Sequence, residues 1–164
     1  LIGDGPLRSS LENLIKKLGI EDNLEIKGMV KNPLDILKES DIFVFPSKIE
    51  GLSNSLIEAM SVGLPCIVTN IPGNIEVFGE SFKSHDIKYG KYIEAKCGLL
   101  FNPSDVIALS NAITFLVNEK IVREKIGRNA FERVKDEFNI NKVADKYLAV
   151  YKDLLNSNLV NSKK

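Results

Sequence analysis

Two glutamates, Glu50 and Glu58, stand on either side of Gly51, Leu52, Ser53, Asn54 and Ser55, a stretch that reads as a glycine-containing turn running into the first turn of a helix. The first turn of a helix carries backbone N–H groups without intrahelical partners and the positive end of the helix dipole, so it suits an anion such as a phosphate. At a rise of about 1.5 Å per helical residue the two carboxylates are expected about 10 Å apart, which leaves room for one diphosphate between them. Carboxylates are acceptors only, and a pair of them flanking a phosphate cradle suits hydroxyl groups at both ends, a sugar on one side and a ribose on the other. The same residues also admit a plainer reading, in which Ser53 caps the helix, Glu58 is an ordinary surface residue and Glu50 merely turns the chain. Spacing alone leaves both readings open.

Such a site needs elements to hold it. Just upstream, Ile42-Phe43-Val44-Phe45 is an apolar run stopped by Pro46, the pattern of a buried strand, and residues 53–62 follow it as a helix. Strand and helix signals alternate around that pair. Leu7, Leu11, Leu14 and Leu18 recur at helical spacing ahead of Gly19. Residues 24–27 read as a short strand ending at Gly28, and Pro33 opens a short helix that runs to Ser40. Residues 66–69 and 99–101 are further strands, with a short helix at 74–78 between them. The alternation predicts an α/β chain with a Rossmann-like, doubly wound parallel sheet. Helices then take over at 105–118, with Val106, Leu109, Ile113 and Leu116 on one face, at 120–136 and at 141–155. Residues 156–164 are polar and expected to fray, which puts the domain at 1–155.

In an open α/β sheet, ligands bind at the carboxyl ends of the strands, where helix N-termini point into one crevice. That rule sends the loops at 3–6, 28–31, 46–54, 70–73 and 102–104 to the working edge. The segment 80–96 leads from a helix to the start of a strand and belongs on the far edge, so its lone His85 and its lysines are expected in a solvated loop.

Bulk properties narrow the function. A chain of 164 residues, 44% of them hydrophobic, can bury the core of one α/β domain. Lysine plus arginine total 22 and aspartate plus glutamate total 22, so no net field draws the chain to nucleic acid. Cys66 lies inside an apolar run and Cys97 just before another, the placement of small buried hydrophobes in a reducing cytoplasm. One histidine and two separated cysteines give no cluster with metal-ligand spacing. No apolar run approaches the roughly 20 residues that cross a bilayer, and no signal pattern opens the chain, so a soluble domain is expected. Leu1-Ile2-Gly3-Asp4-Gly5-Pro6 already reads as the end of a strand entering a turn, which suggests a piece of something longer.

Taken together, Pro46-Ser47, Glu50-Gly51, Glu58-Ala59-Met60, Gly63-Leu64-Pro65 and Pro72-Gly73 with Glu76 resemble the signature of family 4 glycosyltransferases, in which two glutamates are separated by seven residues. Gly3-Asp4-Gly5-Pro6 resembles the turn after the second strand of the same domain, and residues 24–28 the strand that follows. The resemblance spans residues 1–155 and implies the C-terminal, donor-binding half of a GT-B fold with its first strand missing. It also implies transfer of a sugar, with retention, from a nucleotide-diphosphate sugar to an acceptor hydroxyl in the synthesis of cell-surface polysaccharide or glycolipid. By the same resemblance Glu50 approaches the donor sugar, Glu58 accepts from the ribose, and the amides of Gly51, Leu52, Ser53, Asn54 and Ser55 hold the diphosphate. The backbone of Gly28 and Met29 borders the base. Glu76 and the turn at Pro72, Gly73 and Asn74 are expected to be structural. No metal and no cofactor beyond the nucleotide-sugar substrate is implied. The acceptor would bind an absent N-terminal domain, and the setting would be cytoplasmic, with peripheral contact at the inner membrane face.

The family's basic pair that grips the diphosphate precedes Gly3 and lies outside this chain. The missing first strand is central in the usual doubly wound order, so the isolated chain is expected to be weakly stable or inactive. Two competing readings of the same crevice are a sugar-nucleotide epimerase and a non-catalytic nucleotide-sugar-binding module.

Overall fold

The computed structural model describes residues 1–80 and 87–161, so the expectation for His85 falls outside the described residues. The chain divides into two units, Leu1–Glu39 and Ser40–Lys164.

In the first unit, α1 (Arg8–Leu18) is the helix marked by the leucine spacing, and Gly19 ends it in the left-handed conformation expected of a C-terminal glycine. α2 (Pro33–Lys38) begins at its proline. Residues 24–27 do not form the expected strand. Their contact with residues 1–3 stops short of a ladder. The Lys27 amide donates to Leu1 O at 2.9 Å, the Gly3 amide donates to Gly28 O at 2.8 Å, and only isolated bridges form, from Gly28 to Ile2 and Gly3.

The second unit is built on four strands: β1 (Phe43–Phe45), β2 (Cys66–Thr69), β3 (Tyr92–Glu94) and β4 (Gly98–Phe101), in the order β1-β2-β4-β3. β1, β2 and β4 are parallel, with Phe43 opposite Cys66 and Thr69 opposite Phe101. β3 departs from the all-parallel expectation by pairing antiparallel to β4, with Tyr92 opposite Phe101. The reason is the short connection at residues 95–97: a parallel pair needs a crossover of a dozen residues or more, whereas a turn this short can only fold back. The sheet is therefore parallel with one antiparallel edge, and the segment 80–96, expected to be loop throughout, contributes that edge.

β2 and β4 are buried along their whole length. Ile67, Leu99 and Phe101 meet Ala108, Ala112 and Leu116 of α5 (Val106–Asn118) and Ile126 of α6 (Lys120–Glu137). α3 (Asn54–Ser61), which also packs on β2, buries Leu56, Ala59 and Met60. α4 (Pro72–Phe78) buries Val77 and Phe78. Two arginines of α6 satisfy carbonyls that helix ends leave over. Arg123 donates to Leu116 O and Val117 O of α5, and Arg133 donates to Val77 O and Glu76 O of α4. α7 runs Ile140–Asn161, so the helix continues past Leu155 where fraying was expected; no glycine or proline interrupts it. Among the described residues no helix is long and apolar enough to cross a membrane.

Asp105 ties two elements together. Its buried carboxylate accepts from the Ala108 amide at 2.9 Å, capping α5, and from the Gly90 amide at 2.7 Å, just before β3. Asp105→Ala removes the cap and leaves the Gly90 amide without its acceptor. The expected cost is about 2 kcal/mol, read as a lower urea midpoint with an unchanged denaturant slope.

Candidate functional site

The strand-to-helix turn after β1 is built as the sequence implies. Pro46 follows the strand, the chain turns through Ser47 to Leu52, and Ser53 caps α3 by accepting from the Leu56 amide at 3.3 Å. The Ile57 amide donates to Ser53 O. The amides of Gly51, Leu52, Ser53, Asn54 and Ser55 have no hydrogen-bond partner among the described residues. Five donors in succession, at the positive end of a helix dipole, have the chemistry that suits an anion.

The two glutamates sit at opposite ends of this row. Glu50 is half-buried, and its Oε1 accepts from Ser47 Oγ at 2.6 Å. Glu58 is half-buried on α3, four residues past its first residue, which is about 6 Å along the helix axis. Neither carboxylate has an ion-pair partner among the described residues. Leu52 is exposed, whereas Ser53 is buried by its capping role.

A second group of side chains, given no role by the sequence beyond a structural turn, fixes the loop from below. Thr69 and Asn74 are fully buried. Asn74 Nδ2 donates to Thr69 O at 3.0 Å and to Thr69 Oγ1 at 3.1 Å, and Thr69 Oγ1 donates to Ser47 O. A chain of hydrogen bonds thus runs from α4 through the end of β2 and Ser47 to Glu50. Gly73 completes it, because the Glu50 and Gly51 carbonyls occupy the space a Cβ at this position would need. The signal that could have located these residues is Gly73 itself, a glycine in the first turn of a helix where no left-handed turn calls for one. Glu76 is exposed, and its backbone carbonyl accepts from Arg133.

Gly28 and Met29 belong to the first unit. Gly28 is buried at φ 68°, and a Cβ there would stand 2.9 Å from Arg8 Nη1; the Met29 side chain is exposed. Arg8 itself is held by Asp4 at 3.0 Å and Glu12 at 2.9 Å.

The cysteines have the packing role expected of them. Both are free and buried, and burial pushes both thiols upward, which leaves them protonated and poorly suited to nucleophilic work. Among the described residues no group of three or more histidine, cysteine, aspartate or glutamate side chains is placed to hold a metal ion.

A mostly parallel sheet with a capped helix start and two acids without ion-pair partners after β1 is an α/β arrangement, and the architecture is that of the C-terminal half of a GT-B fold. The chain belongs to the glycosyl transferases group 1 family, whose model matches residues 1–133. An uncharacterized glycosyltransferase of Methanocaldococcus jannaschii is 34% identical over 87% of this chain and 39% of its own length. The UDP-Gal:alpha-D-GlcNAc-diphosphoundecaprenol alpha-1,3-galactosyltransferase of Escherichia coli is 31% identical over 94% of this chain and 36% of its own length. Among solved structures, sucrose-phosphate synthase from Thermosynechococcus elongatus superposes with a TM-score of 0.77 at 25% identity, covering 96% of this chain and 38% of that one. The chain therefore spans well under half the length of these three proteins.

Proposed function

We propose that the intact protein transfers a sugar from a nucleotide-diphosphate sugar to an acceptor hydroxyl, with retention at the anomeric carbon, in the synthesis of a surface polysaccharide or glycolipid. The observation that carries this reading is the run of five unpartnered amides from Gly51 to Ser55 with an unpaired carboxylate at each end. As the bond from the anomeric carbon to the diphosphate breaks, negative charge collects on the departing oxygens. The amides and dipole of α3 are already aimed where that charge develops, so they need little reorganisation in the transition state. Glu58 accepts hydrogen bonds from the ribose hydroxyls. Glu50 faces the sugar, its free oxygen accepting from a sugar hydroxyl while Ser47 holds the other. The nucleotide sugar carries its own leaving group, so the reading assigns no cofactor or metal.

The Escherichia coli relative is named for a UDP-sugar donor and a diphosphoundecaprenol-linked acceptor. Its name supports a uridine nucleotide and a lipid-linked acceptor here. That acceptor would be bound by the part of the protein that precedes this domain, working at the cytoplasmic face of a membrane.

The two acids separate in one experiment on the intact protein. Glu58→Ala is expected to weaken uridine diphosphate binding by about 1–3 kcal/mol, the loss of a charge-assisted hydrogen bond. Glu50→Gln is expected to lower turnover at least about tenfold while leaving uridine diphosphate affinity near that of the unaltered protein. Unchanged nucleotide affinity in Glu58→Ala removes Glu58 from the site, and equal loss of nucleotide binding in Glu50→Gln contradicts its placement at the sugar.

A further inference from the structure

We infer that Thr69 and Asn74 are positioning residues for sugar transfer, holding the loop that carries Glu50 in its working geometry. The inference rests on the reading of Glu50 as the donor-facing acid and extends it to residues that touch no substrate.

The loop at residues 46–52 has few restraints of its own. Pro46, Lys48, Ile49, Gly51 and Leu52 are all exposed, and Ile49 is 87% exposed. An exposed segment of this length, with no apolar anchor, opens readily unless polar contacts fix it. The contacts that fix it come from below. The buried Thr69 hydroxyl donates to Ser47 O, and Asn74 Nδ2 donates to that same hydroxyl oxygen. A hydroxyl has one proton, so by accepting from Asn74 the Thr69 oxygen is left to direct its own proton at the Ser47 carbonyl. Asn74 in turn is held by its second donor bond, to Thr69 O. Ser47 is thereby fixed at its carbonyl and uses its hydroxyl to grip Glu50 Oε1. One side-chain relay therefore sets both the path of the backbone and the rotamer of the acid. The second oxygen of Glu50 makes no hydrogen bond among the described residues and is left for a ligand.

Thr69 and Asn74 are both fully buried, where threonine and asparagine are costly unless hydrogen-bonded, and the relay occupies the Thr69 hydroxyl and Asn74 Nδ2, while Asn74 Oδ1 has no hydrogen-bond partner among the described residues. A role in packing alone would be served better by valine at position 69.

The test uses Thr69→Val, which keeps the shape and removes the hydroxyl, and Thr69→Ser, which restores it, in the intact protein. Thr69→Val is expected to lower turnover by about 10- to 100-fold, the scale of a small misplacement at a reacting group, while uridine diphosphate affinity changes less than about threefold. Thr69→Ser recovers most of the turnover. Trypsin cleavage after the exposed Lys48 is expected to quicken in Thr69→Val, because the loop opens more often. Full turnover in Thr69→Val, a loss that serine fails to recover, or unchanged cleavage at Lys48 overturns the proposal. Glu50→Gln is measured alongside. If it is inactive while Thr69→Val is fully active, the positioning role alone fails; if it is fully active, the reading of Glu50 fails, and the cleavage result still decides whether the relay holds the loop.

Discussion

Gly73→Ala is expected to lose about 100-fold or more in turnover, with a stability loss of about 1–3 kcal/mol, although it adds a single methyl group. The reason lies in what that methyl would meet. A Cβ on Gly73 would overlap Gly51 O, stand 2.6 Å from Glu50 O and lie 3.0 Å from Glu50 C. All three are backbone atoms, so no side chain can swing aside, and either α4 or the loop must shift. α4 is the less mobile partner, since Asn74, Val77 and Phe78 are buried and its last carbonyls are gripped by Arg133. The loop therefore moves, carrying Glu50 away from its place and shifting the first amides of the anion-binding row. Both halves of the site are touched by one substitution, which is why the effect on turnover exceeds that expected for the Thr69 hydroxyl. Steady-state kinetics of the intact protein with a saturating donor, set beside a thermal melt, check it. Turnover within about threefold of the unaltered protein would mean that the loop does not depend on this contact.

The contrast between Gly73 and Ser53 shows where the sequence could be read and where it could not. Ser53 capping α3 is a local event, settled by a side chain and an amide three residues apart, and it stands where the spacing placed it. The amide row and the flanking acids follow from the same short stretch. The apolar runs at β1, β2 and β4 were equally legible as strands, although only β2 and β4 are buried along their length, and β1, at the end of the strand order, is half-buried where a buried strand was expected. β3 escaped notice because three residues, Tyr92, Ile93 and Glu94, carry too little periodicity to stand out, and its direction depends on how short the turn to β4 is. Residues 24–27 failed in the opposite sense: their pattern is that of a strand, but a strand exists only with a partner, and here the pairing stops at isolated bridges. Thr69, Gly73 and Asn74 act on Ser47, Glu50 and Gly51 across more than 20 positions of chain, and no local pattern announces such a contact. Spacing singled out the two acids and the resemblance gave them their expected roles, whereas the groups that hold the Glu50 loop are visible only in the fold.

Gly127 offers the sharpest conflict between local preference and tertiary packing. It lies in the middle of α6, where replacing glycine by alanine is worth about 1 kcal/mol in helix propensity, so the sequence by itself predicts that Gly127→Ala stabilises. The fold reverses the sign. A Cβ at Gly127 would overlap Gly63 O and lie 3.2 Å from Gly63 C and 3.6 Å from Pro65 Cδ, so α6 and the end of α3 meet backbone to backbone. Gly63 is itself held at φ 77° after α3, and Pro65 is buried, so that side of the contact yields little. Overpacking a tight contact costs about 1–3 kcal/mol, which outweighs the propensity gain and makes Gly127→Ala destabilising by about 1 kcal/mol. Gly127→Val adds two further methyl groups and a residue that is stiff in a helix, and its cost is expected to reach about 3 kcal/mol or more, a fall of about 6–12 °C in Tm. Because α3 is levered at the end far from its amide row, the folded fraction of either variant should bind uridine diphosphate within about threefold of the unaltered protein, a change smaller than 1 kcal/mol. Urea unfolding of the alanine and valine variants decides the matter: a rising midpoint in Gly127→Ala would show that helix propensity governs this position and that the two helices have room to part.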